Sequence, residues 1–467
     1  MSFLIVLAAL AFLMLVAYRG YSVILFAPIA ALGAVLLTDP SLVAPMFTGL
    51  FMDKMVGFLK LYFPVFLLGA VFGKLIEVSG FSKSIVAATI RLVGAQRAML
   101  SIVLVCALLT YGGVSLFVVV FAVYPFASEL FRQSNIPKRL IPGTIALGAF
   151  TFTMDALPGT PQIQNIIPTA FFGTTSWAAP ILGLAGAVFI VALGLAYLEW
   201  RRRVAARNGE GYAGSDELRN EPEPFHGDRL AHPLVAILPL LLVGVANFLF
   251  TRWIPRWYGD SHSFLPSVIG NPAPVVQEVA KVSAIWAVQA ALLVGIAAVV
   301  LFAWKPVVTR FVEGSKSAVS GALLASMNTA SEYGFGAVIA ALPGFLLVSQ
   351  ALGAIPNPLV NEAVSVTAMA GITGSASGGM GIALAAMADT FIANAQAAGI
   401  PMEVLHRVAA MASGGMDTLP HNGAVITVLA VTGLTHRQAY KDIFAVTLIK
   451  TAAVFFIIGM YYATGLV

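Results

Sequence analysis

Apolar runs long enough to cross a bilayer alternate with short polar breaks along almost the whole chain. Runs at 2–17 and 21–37, split by Tyr18-Arg19-Gly20, predict the first two helices. A polar segment carrying Asp39, Pro40, Pro45, Asp53 and Lys54 is expected in the interface. A third span over 58–78 follows, then a short amphipathic stretch over 82–97 with Lys83, Arg91 and Arg97. Residues 98–131 are apolar but interrupted by Thr110-Tyr111-Gly112-Gly113-Val114-Ser115, which suits one kinked helix or a re-entrant hairpin. Beyond a hydrophilic piece at 201–230, spans are predicted at 232–250 and 280–304, with Trp253, Trp257 and Tyr258 between them at headgroup level. Residues 318–350 show an interruption at Asn328–Gly336 and residues 362–398 another at Thr373–Gly379. A last span covers 441–464.

Two breaks share a core. Met154-Asp155-Ala156-Leu157-Pro158 returns as Met416-Asp417-Thr418-Leu419-Pro420, each an acid and a proline in otherwise apolar sequence. In hydrocarbon, irregular backbone is tolerated only where protein covers it or a wet cavity borders it. An ionisable group at that depth points to function. The halves match by landmark: Gly112 precedes Asp155 by 43 residues and Gly374 precedes Asp417 by 43, with Ile136-Pro137 and Ile400-Pro401 between. The fold expected is an all-α polytopic membrane protein with an inverted repeat, about 11 transmembrane helices, two re-entrant hairpins and two broken helices. Its first half, 1–200, holds scaffold helices over 1–97, a hairpin over 98–131, a broken helix over 139–175 and a helix over 178–200. A cytoplasmic linker covers 201–230. The second half, 231–467, has scaffold helices over 231–350, a hairpin over 361–398, a broken helix over 402–434 and a helix over 440–466.

Composition fits this reading. Only 10% of residues are charged, against about 25% in a soluble domain, so lipid is the main solvent. The net charge of +5 does not point to nucleic acid, because the basic residues sit in short loops rather than on one stripe. Most of the 26 Lys and Arg fall on one side when the first residue is placed outside, which puts both termini on the outer face. The Gly, Pro and charge content of 201–230 predicts a flexible linker. Cys106 stands alone, so no intrachain disulfide or cysteine metal site is possible. Residues 2–17 lack a basic stretch before them and a clear cleavage site after them, and are expected to be a retained helix.

The Gly/Ser breaks are candidates for contact with an anion. Glycines let freed N–H groups at a helix end approach a ligand, and the partial positive charge there favours a carboxylate. The substrate-binding candidates are Thr110, Gly112, Gly113, Ser115, Thr160, Asn328, Thr373, Gly374, Ser375, Ser377, Gly378 and Asn422. The bland reading is that small residues let membrane helices pack closely. Asp155, Asp417, His421 and Glu332 are the ion-coupling candidates. Each Asp suits proton exchange, Na+ chelation or plain helix capping, and His421 adds a group that titrates near neutrality. Glu129, Asp389 and Lys450 are weaker candidates, paired or reaching an interface.

The Asn-Thr-Ala-Ser-Glu-Tyr-Gly-Phe-Gly run at 328–336 and the Ser-Gly-Gly-Met-Asp-Thr-Leu-Pro-His-Asn-Gly run at 413–423 resemble the gluconate permease family of the ion-transporter superfamily. The resemblance covers nearly the whole chain. It implies a proton-coupled importer of gluconate, 3-hydroxybutyrate or a similar hydroxycarboxylate in a bacterial inner membrane. It also implies a scaffold domain, a moving transport domain and a homodimer working by an elevator motion. Hairpin tips and helix breaks would then meet at a small organic anion. No cofactor is implied beyond the coupling proton. Neither tip carries the Ser-Asn-Thr signature of many superfamily members, so Na+ coupling and dicarboxylate specificity do not transfer.

Two other readings stay open. An intramembrane enzyme finds little support, since Gly414-Gly415-Met416-Asp417 does not give Gly-x-Gly-Asp and no His-Glu-x-x-His occurs. A cation/proton antiporter would also use paired breaks with acids. On the permease reading, protonation of Asp417 or His421 offsets the charge of a carboxylate docked between the tips.

Overall fold

The computed structural model describes residues 2–19, 21–94, 97–213, 218–222, 230–265, 274–345, 347 and 355–467. Among these, six helices are long and apolar enough to cross a membrane. The molecule is an all-α polytopic membrane protein.

The first half opens with α1 (Ser2–Tyr18), α2 (Val23–Thr38), α3 (Met52–Val78) and the amphipathic α4 (Phe81–Val93). Two helices, α5 (Ala98–Tyr111) and α6 (Leu116–Gln133), form the first hairpin. The first broken helix is α7 (Ile141–Ala149), a single turn α8 (Phe152–Asp155) and α9 (Ile163–Phe172), and α10 (Pro180–Arg207) closes the half. The second half begins with α11 (Pro233–Tyr258) and an exposed antiparallel ribbon of β1 (Ser261–Phe264) and β2 (Val275–Glu278). Next come α12 (Val279–Phe302) and α13 (Trp304–Ala341), then the second hairpin, α14 (Pro358–Thr373) and α15 (Ala376–Ala397). The second broken helix, α16 (Met402–Ser413) and α17 (Gly423–Thr432), precedes α18 (His436–Thr464).

The two halves use the same local chemistry to interrupt a helix. Each hairpin turns on a glycine in the left-handed region, Gly113 at φ +97° and Gly374 at φ +65°, where a side chain would be strained. A serine, Ser115 or Ser375, stands at the start of each second arm. Each broken helix resumes after an amide residue, Gln162 or Asn422, runs ten residues, and ends on a left-handed glycine, Gly173 or Gly433. The hairpin glycines lie 261 residues apart and the other paired positions 260, whereas Asp155 and Asp417 lie 262 apart. The aspartates are therefore near-equivalents: Asp155 ends α8, while Asp417 sits in the turn after α16.

Residues 40–51 are helical turns running into α3, with a widened turn over Phe47–Phe51. There is no interruption at Asn328–Gly336, because α13 runs through it unbroken. Small residues serve packing there: a Cβ on Gly334 would stand 2.9 Å from Phe51 O, and one on Gly336 would stand 2.8 Å from Ile382 Cα. Two termini on one face require an even number of crossings, so that orientation and a count of about eleven do not both hold.

Asp442 ties the closing helices together. Fully buried in α18, it accepts from Arg201 Nε at 2.6 Å and from the Tyr197 hydroxyl at 2.8 Å, both on α10. Arg139 approaches it at 3.4 Å.

The stretch expected to be a flexible linker is in part fixed. Helix α10 extends to Arg207, and the described residues that follow are pinned to the body, while 214–217 and 223–229 lie outside the described residues. Glu210 pairs with Arg139 at 2.6 Å, and Glu221 pairs with Lys138 at 2.7 Å and with Arg132. The Tyr212 hydroxyl meets Ser128 at 2.7 Å, and Asn220 Nδ2 donates to Ala430 O at 2.8 Å. The strap thus joins the first hairpin to the end of the second broken helix. Burial pushes the Glu221 carboxyl up, but the hydrogen bond and charge of Lys138, with Tyr212 and Arg132, outweigh burial and hold it below the ordinary value of 4.5. A carboxyl lowered by folding anchors fully above that value and lets go as pH falls through its own lower one. Hydrogen exchange over 218–222 is therefore expected to stay slow from pH 8 to pH 5 and to quicken below about pH 4.5. Glu221→Gln should show the fast exchange already at pH 7.

Candidate functional site

Each hairpin tip docks on the helix break of its own half. At the first, the Tyr111 hydroxyl donates to Pro158 O at 2.9 Å, and Gln162 Nε2 donates to Thr110 O at 2.7 Å and to Val114 O at 3.3 Å. A Cβ on Gly112 would stand 2.5 Å from Leu240, and one on Gly113 would stand 3.2 Å from Pro161. These two glycines therefore seat the tip on its neighbours. Ser115 places its N–H beside Gly73 of α3. The Thr160 hydroxyl donates to Thr153 O at 2.9 Å and so closes the break locally.

The second tip follows the same plan. Asn422 accepts from Val425 N, which starts α17, and donates to Gly374 O at 2.8 Å. The His421 ring lies so close to Gly374 that a Cβ there would stand 2.4 Å from Cδ2. Ser375 caps α15 by accepting from Gly378 N at 3.1 Å, and Thr373 turns its hydroxyl back onto Met369 O. From α13, Thr329 meets Ser377 at 3.2 Å, and the carboxyl of Glu332 lies against Gly378. Asn328, half-buried one position away, has no described hydrogen bond to the tip.

Cations from the second half join the two clusters. Arg407, fully buried in α16, donates to Asp155 O at 2.8 Å, to Ala178 O at 2.7 Å and to Asn165 Oδ1 at 3.1 Å. The neighbouring His406 ring bridges Thr174 and Asn165 at 2.6 and 3.2 Å. Lys450 of α18 donates to Phe150 O at 3.1 Å and to Asp417 Oδ1 at 2.5 Å. The side chain of Asp155 points at the second break, where a Cβ on Gly414 would stand 2.0 Å from its Oδ2. Both aspartates are thus buried beside broken backbone, and the charges acting on Asp155 are Lys450, Asp417 and Arg407.

Arg407 and His406 are the residues that the sequence reading passed over, although an Arg in the run Val404–Ala412 is itself the signal. Glu362 was passed over as well; it is fully buried in α14, and neither carboxyl oxygen has a hydrogen-bond partner. Other buried polar atoms without partners are Thr110 Oγ1, Ser331 Oγ, Glu332 Oε2 and Trp177 Nε1. More than about 90% of buried polar groups in proteins are satisfied, so these unpaired atoms stand out. Among the described residues no group of His, Cys, Asp and Glu forms a metal site.

Paired hairpins and paired broken helices around buried polar side chains define a multi-pass membrane protein. The chain is 60% identical over 475 residues to the "Uncharacterized transporter YxjC" of Bacillus subtilis (strain 168), with the whole of both chains covered, and it belongs to that transporter's family. No protein-family model matches it. Its similarity to the solved YdaH transporter of Alcanivorax borkumensis has a TM-score of 0.49 at 14% identity, covering 92% of this chain and 90% of that one.

The ion pair of Lys450 and Asp417 is 2% and 6% exposed. Removing one partner of a buried pair strands the other charge, at a cost of about 3–5 kcal/mol. Lys450→Met should lower the thermal midpoint in detergent sharply, and Asp417→Asn combined with Lys450→Met should recover most of the loss. A double variant no more stable than the single would show that the pair is not the coupling.

Proposed function

We propose that the protein is a secondary transporter that imports a small hydroxycarboxylate, such as gluconate or 3-hydroxybutyrate, together with a proton. The observation that carries this reading is that each hairpin tip docks on the helix break of its own half, with buried polar atoms that lack partners beside the tips and breaks. The start of α15, with Ser375 and the N–H groups near Gly378, offers the partial positive charge a carboxylate prefers. Thr110, Ser331, Ser377 and Trp177 offer hydroxyl and N–H groups for the substrate's own hydroxyls.

An anion entering this centre without compensation would be expensive in low dielectric. A proton taken up with it makes the loaded site neutral and leaves net uptake dependent on the pH gradient. The tips would ride on the moving part of an inverted-repeat elevator in the bacterial inner membrane, with the scaffold helices α3, α11 and α12 fixed, and two copies forming a dimer. Both termini would face outward.

Purified protein in liposomes should take up labelled gluconate or 3-hydroxybutyrate above its outside concentration when the outside is acidic, and only equilibrate it when the gradient is collapsed. Cation-driven pH changes in the absence of any organic acid would instead favour an antiporter and reject this reading.

A further inference from the structure

Among the candidate acids, two lie next to a buried cation. Asp417 is ion-paired with Lys450, and Asp155, whose carboxyl forms no described ion pair, has Arg407 on its backbone carbonyl. Glu332 is different. It is 3% exposed, its Oε2 has no hydrogen-bond partner, and it forms no described ion pair.

Its surroundings are specific. The carboxyl reaches from α13 to the first turn of α15, where a Cβ on Gly378 would stand 1.6 Å from Oε2 and 3.0 Å from Oε1. Ser375, whose hydroxyl accepts from Gly378 N, lies close to the Glu332 carboxyl. One turn back on α13, Thr329 meets Ser377. The acid therefore fills the space that a guest carboxylate would use at the positive end of a 22-residue helix. Among the described residues no fixed charge intrudes from the elements packed on α13, and the titratable ring of His421 lies against Gly374 at the same tip. On α3 the residues at this level, Asp53, Lys54 and Lys60, are exposed, and the Tyr62 hydroxyl donates to Ile167 O. On α15 the charged residue is Asp389, exposed and more than two turns away, and neither α2 nor α9 has a charged residue. Tyr333 beside it packs against Phe58 and Phe171.

We propose that Glu332 carries the coupling proton, and that its charge and the substrate's carboxylate compete for one place, the start of α15. The inference rests on the hydroxycarboxylate-symport reading above and assigns the residue that performs the coupling. With its carboxylate ionised, Glu332 holds the helix end itself and excludes a second anion. Once it takes a proton from the outer water, it no longer needs the helix end, and the substrate carboxylate takes its place beside Gly378. Loading then moves one proton and one carboxylate, a neutral pair. On release inside, the proton leaves Glu332 for the cytoplasm, and the ionised acid reoccupies the tip.

The test uses the full-length protein in liposomes with labelled gluconate, read in two modes: accumulation under an acid-outside gradient, and exchange against gluconate trapped inside with no gradient. Wild type is expected to do both. Glu332→Gln should keep exchange, at a reduced rate that no longer changes between pH 6 and pH 8, and lose accumulation beyond equilibration. Accumulation by Glu332→Gln, or loss of its exchange while the protein still folds, overturns the assignment. Wild-type protein that exchanges no gluconate overturns the symport reading and the assignment with it.

Discussion

A carbonyl freed by a break in a membrane helix has no water to turn to, and the whole centre of this molecule follows from that constraint. Breaking the first helix at Phe150, and again at Asp155, exposes C=O groups at the negative ends of α7 and α8. Long cationic side chains answer them from the other half of the chain: Lys450 reaches Phe150 O, and Arg407 reaches Asp155 O and Ala178 O. A cation is well matched to this task, because the helix C-terminus carries partial negative charge. A planar guanidinium can satisfy several acceptors in fixed directions, and Arg407 does so.

This cross-donation explains why the two halves enclose one centre rather than two. The cations lie on α16 and α18, so the second half must pack against the first for the first break to exist. Close approach makes it possible: a Cβ on Gly183 would stand 2.3 Å from Ala156 O and 3.1 Å from Arg407 Nε. Neutral amides complete the first break, with Asn247 of α11 donating to Gly159 O at 3.0 Å and Asn165 donating to Thr160 O and Ser176 O. At the second break Lys450 holds Asp417 instead of a carbonyl, and that is where the repeat loses its symmetry.

Much of this was legible in the sequence because breaks inside apolar runs have a vocabulary of their own. Met-Asp-x-Leu-Pro and the Gly/Ser clusters located both broken helices and both hairpin turns, since proline, glycine and a capping hydroxyl are what end a helix. The same vocabulary misled at Asn328–Gly336, where Gly334 and Gly336 serve close packing on Phe51 and Ile382 and the helix continues. Composition has no way to separate those two uses of glycine. The strap over 208–213 and 218–222 was hidden for another reason: its polar residues look solvated until Lys138, Arg132 and Arg139 are seen to face them. Arg407 and Lys450 were visible as letters, but their partners are backbone atoms, which no residue pattern announces.

The charges at the centre also constrain what a guest must bring. Asp155, Asp417, Arg407 and Lys450 form one cluster, in which Lys450 pairs with Asp417 and each base caps a backbone carbonyl of the first break. Drawing either cation away to meet an incoming carboxylate would leave a carbonyl unsatisfied and, for Lys450, an aspartate unpaired, which low dielectric penalises. The resident cations are therefore unavailable to an anionic substrate. An anion that enters has to arrive with its own positive charge or meet an acid already neutralised, and the acids free to be neutralised are those outside the four-charge set. Glu332 and Glu362, both buried and without a described cation, fit that description. Of the two, only Glu332 touches a hairpin tip in the described contacts, at the close approach of Gly378. The backbone breaks thus fix the cations, Lys450 occupies Asp417, and Glu332 is the buried acid left at the tip without a described cation.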